Sequence, residues 1–217
     1  VVAAYIIVQI LIAAGALSYH LQGMLVSVCT YIIMAISLNL TVGILGELSL
    51  GHAGFMCVGA FLGAIFSIAM KDVITFSPLR FLLALIIGAV SAGIIGFLIG
   101  MPVLRLKGDY LAIVTLAFGE IIKNLFNILF LGVDENGVHM STKDTISLGL
   151  SDSGTVIVKG AQGVTGMPQD ANFTIGAILI LLTLFIVLHL IQSRDGRAIM
   201  SIRDNQIAAE SVGIHVS

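Results

Sequence analysis

Apolar residues run along this chain in long unbroken stretches, neither alternating nor confined to one helical stripe. Six of these stretches set the expected architecture: roughly 1–17, 23–45, 51–70, 80–104, 109–131 and 174–192. A membrane-spanning helix needs about 20 mostly apolar residues. Only helices and closed barrels satisfy every backbone group in lipid, and continuous runs select helices. The pattern therefore predicts an all-α integral membrane protein, a bundle of about six transmembrane helices forming one domain over 1–217. The connections are short except for 132–173, which is rich in Gly, Ser, Thr and Asp and reads as a solvated loop.

Composition agrees. The chain is 58% hydrophobic and 10% charged, with a mean hydropathy of +1.11, against about 45–50% and about 25% in soluble domains. The net charge of −2 and the lack of a basic cluster give no footprint for nucleic acid. Cys29 and Cys57 fall inside apolar runs and read as packing residues. No Cys/His set has metal-site spacing. The first run lacks a basic flank and a small-residue cleavage site, so it reads as a span and not as a signal peptide.

Orientation follows from Lys and Arg near the span ends. With the N-terminus inside, the inner segments carry Arg105, Lys107, Arg194, Arg197 and Arg203, and the outer ones Lys71, Arg80, Lys143 and Lys159. The charged tail, 193–217, decides in favour of a cytoplasmic N-terminus and an outward-facing 132–173.

Small residues let helix backbones approach closely in lipid. Ala84, Gly88, Ala92, Gly96 and Gly100 recur every four residues and form a ridge on the fourth span, while Gly59 and Gly63 lie on the third. Polar residues mark other positions. Glu120, Lys123, Asn124 and Asn127 share one face of the fifth span at i, i+3, i+4 and i+7. Counted from Asp109, Lys123 lies about 21 Å along a helix. Charges that deep face a bundle interior or a wet cavity. They either form a pair that pins the helix to its neighbours or line a substrate pathway. In "GELSLGHAGF", residues 46–55, three glycines loosen the backbone, and Glu47, Ser49 and His52 supply polar groups. A broken helix there would expose backbone to a substrate, whereas His52 could equally be a satisfied structural group. Asn39 suits an interhelical hydrogen bond or the same pathway. No nucleophile elbow or Walker A loop accompanies these residues, so the reading is transport without catalytic residues.

The tail changes character. From Arg197 onward the pattern predicts one amphipathic helix with Ile199, Ile202, Ala209 and Val212 on a shared face, interrupted by Gln206 and ended by Gly213. Such a helix lies on the bilayer or docks on a partner.

"AAESVG" resembles the EAA…G docking segment of ABC importer permeases in the spacing of Ala208, Ala209 and Gly213. Ile207 replaces that motif's Glu, and Glu210 follows the alanines. Four blocks in order are more specific: "LNLTVGILGELSLGHAGFMCVGAF", "LRLKGDYLAIVTLAFGEIIKNLF", "GAQGVTGMP" and "SRDGRAIMSIRDNQIAAESVGI". Together they resemble the branched-chain amino-acid ABC permease family of the LivM type, over most of the chain.

The resemblance implies a second related permease, two cytoplasmic ATPase subunits and an extracytoplasmic binding protein for leucine, isoleucine or valine, in a bacterial cytoplasmic (inner) membrane. ATP would be used by the partners, with no cofactor in this chain. It implies ATPase docking through Arg197, Arg203, Ala208, Ala209, Glu210 and Gly213 on a cytoplasmic coupling helix, and makes "GAQGVTGMP" a candidate contact for the binding protein. Urea or short-amide permeases share these blocks, and two other readings stay open: a membrane enzyme using Glu47, His52 and Glu120, and a channel or secondary carrier with Glu120 and Lys123 as an ion relay. Because family members continue past the docking helix, the chain, from Val1 to Ser217, is expected to be a fragment.

Overall fold

The computed structural model describes residues 2–15, 18–71, 73–103, 106, 108–134, 137–150, 154–168 and 170–214. Arg105 and Lys107, used to orient the chain, lie outside them. The chain divides into two compact units, residues 1–48 with 171–217, and residues 49–170.

The first unit contains α1 (Val2–Ala13), α2 (Tyr19–Asn39) and α6 (Phe173–Gln192), followed by α7 (Arg194–Asp204) and α8 (Gln206–Ser211). The end of α2 widens into a π-helical turn, Leu40–Leu45, closed by Gly46 in the left-handed region at φ +79°. Helices α2 and α6 pack where Gly176 faces Cys29. A Cβ on Gly176 would stand 2.8 Å from that of Cys29, and Cys29, Ala177 and Ile180 are buried around the contact. Tyr5 of α1 stacks on Phe173 with ring centroids 5.7 Å apart.

The second unit contains α3 (His52–Ala69), α4 (Ser77–Val103) and α5 (Asp109–Asn127), then β1 (Phe130–Asp134), β2 (Gly137–Ser141) and β3 (Thr155–Lys159). The strands form an antiparallel sheet in the order β2-β1-β3. Small residues set the α3–α4 contact. A Cβ on Gly88 would stand 2.6 Å from the Gly59 carbonyl oxygen, and one on Gly63 3.0 Å from that of Ala84. The ridge continues through Ala92 against Gly59 and Gly96 against Phe55, but Gly100 has nothing within 4 Å. The core joins Val58 of α3 to Ile122 and Phe126 of α5 and to Leu129, with Phe61 stacked on Phe126 at 4.3 Å.

Two expectations need correction. The chain is mostly helical and not all-α: the apolar run taken as a span over 109–131 leaves the helix at Asn127 and becomes β1, so 132–173 holds a sheet in place of a plain loop. Backbone groups freed at the helix end pair with β3 and β2, which satisfies them as the helix had. Four helical segments among the described residues are long and apolar enough to cross a membrane: Tyr19–Leu45, His52–Ala69, Ser77–Val103 and Phe173–Gln192. Of the other two expected spans, α1 has only 12 residues, and α5 carries the polar stripe.

Candidate functional site

Helix α5 is oriented by what it buries. Leu111, Ala112, Thr115, Ile122 and Phe126 turn inward, and Phe118 meets Phe55 with centroids 5.4 Å apart. The Thr115 hydroxyl accepts from the Leu50 amide at 3.0 Å and donates to the Ala112 carbonyl at 3.0 Å. Glycine makes that approach possible: a Cβ on Gly51 would lie 2.7 Å from the Thr115 carbonyl oxygen, and one on Gly54 3.0 Å from the Gly119 Cα. These two glycines of "GELSLGHAGF" therefore serve a close helix crossing. Ser49 and His52 sit half-buried at the head of α3.

The opposite face of α5 brings Glu120, Lys123, Asn124 and Asn127 together, all exposed. Lys123 Nζ lies 3.4 Å from both Glu120 carboxylate oxygens, with side-chain exposures of 62% and 57%. The pair forms within α5 and joins no second helix. Exposed pairs of this kind contribute about 0–1 kcal/mol. Because the helix ends at Asn127, Lys123 is only four residues from that end, about 6 Å. The stripe thus runs to a helix terminus. There Asn127 meets the conspicuous loop: the Gly160 amide donates to the Leu129 carbonyl at 3.0 Å, and a Cβ on Gly160 would stand 2.7 Å from the Asn127 carbonyl oxygen. Asn39 belongs to the other unit, where its carboxamide lies against Gly43 at the π-helical turn.

The tail is two helices where one was expected. Asn205 takes extended backbone (φ −160°, ψ 107°), ending α7, and its side chain accepts from the Ala208 amide at 3.1 Å to start α8, an N-cap worth about 1 kcal/mol. Gly213 at φ +87° ends α8. The Gly213 amide donates to the Glu210 carbonyl and that of Ile214 to the Ala209 carbonyl, the Schellman pattern. The break separates the expected shared face: Ala209 is 3% exposed and Val212 77%. Ala209 is covered by its own chain, whereas Ile207, Ala208, Glu210 and Val212 are exposed.

Arg203 and Arg197, expected to dock on a partner, have internal partners. Arg203 donates to the Gly43 carbonyl at 2.8 Å, pairs with Asp204 at 2.9 Å and lies across Gly46. A cation suits carbonyls at a helix C-terminus. Arg197 donates to the Gln192 carbonyl at 2.6 Å. Ser193 accepts from the Gly196 amide, and a Cβ on Gly196 would stand 2.1 Å from the Leu190 carbonyl oxygen, so the α6–α7 corner requires glycine.

Sequence reasoning missed one cluster. Asp170 accepts from Ser77 at 2.5 Å and from Arg80 Nη2 at 2.6 Å and Nε at 3.2 Å, while Arg80 also donates to the Ile74 carbonyl. Burial pushes the Asp170 carboxyl up, but the hydrogen bonds from Ser77 and Arg80 and the Arg80 charge outweigh it and hold the carboxyl below the usual range. Among the described residues, no group of three or more His, Cys, Asp or Glu is placed to hold a metal ion.

A family model described as "Branched-chain amino acid transport system / permease component" matches residues 20–217. The chain belongs to this family. It is 34% identical over 222 residues to the high-affinity branched-chain amino acid transport system permease protein LivM of Escherichia coli (strain K12), covering 96% of this chain and 50% of that protein. The same-named protein of Salmonella typhimurium is 34% identical over 193 residues, 85% of this chain and 44% of that protein. The chain thus spans about half the length of the curated relatives it matches. No solved structure matches it.

Proposed function

We propose that this chain is a membrane-spanning permease subunit of an ATP-driven importer of branched-chain amino acids, forming the translocation pathway with a second, related permease. The observation that carries the reading is the family match over residues 20–217, together with 34% identity to a LivM permease over 96% of the chain. The subunit is not itself an enzyme. Two cytoplasmic ATPase subunits supply ATP hydrolysis, and an extracytoplasmic binding protein delivers leucine, isoleucine or valine. The chain crosses the bacterial inner membrane about six times, with the first apolar run and α5 completing the set of spans and the N-terminus in the cytoplasm. The sheet and residues 160–168 face outward toward the binding protein. Helix α8 is the coupling helix, meeting the ATPase through Ile207, Ala208, Glu210 and Val212, while Ala209, Arg197 and Arg203 hold it against the chain.

Topology is tested by cysteine labelling in a background lacking Cys29 and Cys57. Ser153, in the outer segment, lies outside the described residues, so the outer position is Ile146, 91% exposed, and the inner one is Ile207, 80% exposed. Ile146→Cys should react with an impermeant maleimide on intact cells, and Ile207→Cys, in the permease expressed without its ATPases, only after the membrane is opened. Equal reactivity on intact cells contradicts the six-span arrangement.

A further inference from the structure

The exposed face of α5 changes character along its length. Ile113 and Leu116, 62% and 49% exposed, occupy its N-terminal half. At helical spacing the same line continues through Glu120, Lys123, Asn124 and Asn127 to the end of the helix. One surface therefore presents an apolar strip that ends in a pair of opposite charges with two carboxamides beside it. The charges are loosely matched. Both Nζ–O distances are 3.4 Å, longer than the 2.7–2.9 Å usual for charge-assisted bonds. Each charged group keeps bonding capacity for another partner, since an ammonium has three donors and a carboxylate about four acceptor sites.

We propose that this face receives a zwitterionic α-amino acid with an apolar side chain. The substrate carboxylate meets Lys123 and its ammonium meets Glu120, with Asn124 and Asn127 completing the hydrogen bonds and the side chain lying along Leu116 and Ile113. The inference rests on the permease reading above, and deepens it by naming the groups that hold the substrate's two poles. Charge complementarity selects this occupant. A solute with one charge leaves one member of the pair with no added partner, and a neutral amide engages neither as an ion. The stripe meets residues 160–168 at Asn127, the end that faces outward in the orientation proposed above.

The test uses the full-length permease assembled with its partner subunits but without binding protein. The probes are leucine, leucinamide, which lacks the carboxylate, and 4-methyl-2-oxopentanoate, which lacks the ammonium. Each is added at millimolar concentration while thermal unfolding is followed. Leucine should raise the midpoint by ~2–4 °C, and neither analogue should. Glu120→Gln and Lys123→Gln should each abolish the leucine shift while keeping the probe-free midpoint and the subunit composition. The reversed pair, Glu120→Lys with Lys123→Glu, keeps both charges and should retain a shift if either single variant assembles poorly. The proposal is overturned by a leucine shift that persists in both single variants, or by leucinamide matching leucine. It is also overturned if the variants lose the second permease with the leucine shift intact, which makes the face a subunit contact, or if a wild-type complex that imports leucine shows no shift. A wild-type complex that imports no branched-chain amino acid once loaded binding protein and ATP are supplied sinks the permease reading itself.

Discussion

Replacing Asp170 with alanine should lower the thermal unfolding midpoint of the 49–170 unit by the equivalent of about 3–5 kcal/mol, the typical cost of removing one member of a buried ion pair. The Arg80 side chain is 7% exposed and that of Asp170 12%, so alanine strands a guanidinium that solvent barely reaches. Ser77 also loses its acceptor. Because the cost comes from the stranded charge, Arg80→Met combined with Asp170→Leu should recover most of the loss. The pH dependence has a definite sign. A carboxyl held below its ordinary value in the folded state contributes stability that is complete above the unfolded value, about 4. That contribution is lost as the pH falls through the folded value. The wild-type midpoint should drop on acidification below about pH 4, and Asp170→Ala should show a smaller drop over the same window. Thermal scans of the purified variants in detergent against pH measure both effects.

Replacing Ala208 with tryptophan should reduce ATPase co-purification about 5- to 150-fold, the equilibrium equivalent of about 1–3 kcal/mol of overpacking. Ala208 is on the exposed side of α8, so the bulky ring leaves the subunit's own packing intact and would meet only the proposed ATPase partner. Ala209→Trp is a different experiment. That side chain is 3% exposed, and tryptophan there overfills the subunit's own tail, lowering its unfolding midpoint before any partner is added. The comparison separates docking from folding. Normal ATPase recovery and uptake with Ala208→Trp would show that α8 does not form the coupling contact.

The contrast between these two alanines illustrates what the sequence makes legible. Four apolar runs map closely onto helices: 23–45 onto Tyr19–Leu45, 51–70 onto His52–Ala69, 80–104 onto Ser77–Val103 and 174–192 onto Phe173–Gln192. Hydrophobic length alone carries that information. It does not locate the end of α5, because "NILFLGV" stays apolar as the chain passes from helix to strand. The β-branched run "TVIVK" was a readable strand signal, obscured by the polar composition around it. Asn205 likewise had the form of an N-cap residue before "QIAAES", but periodicity continued through it and suggested one helix. Asp170 offered no local signal, since its partners Ser77 and Arg80 are about ninety residues away in the chain. On α5, the stripe from Glu120 to Asn127 was legible as a shared face. Its position beside a helix end depended on the missed sheet.

Reconstituted uptake decides whether this chain is the permease subunit of an ATP-driven importer of branched-chain amino acids. The full-length chain is assembled in proteoliposomes with its second permease and both ATPases, with loaded binding protein on the outer side and ATP on the ATPase side. Leucine, isoleucine or valine should accumulate only when ATP and the ATPases are both present. Accumulation that follows an ion gradient without ATPases, or that is confined to urea and short amides, would contradict the account.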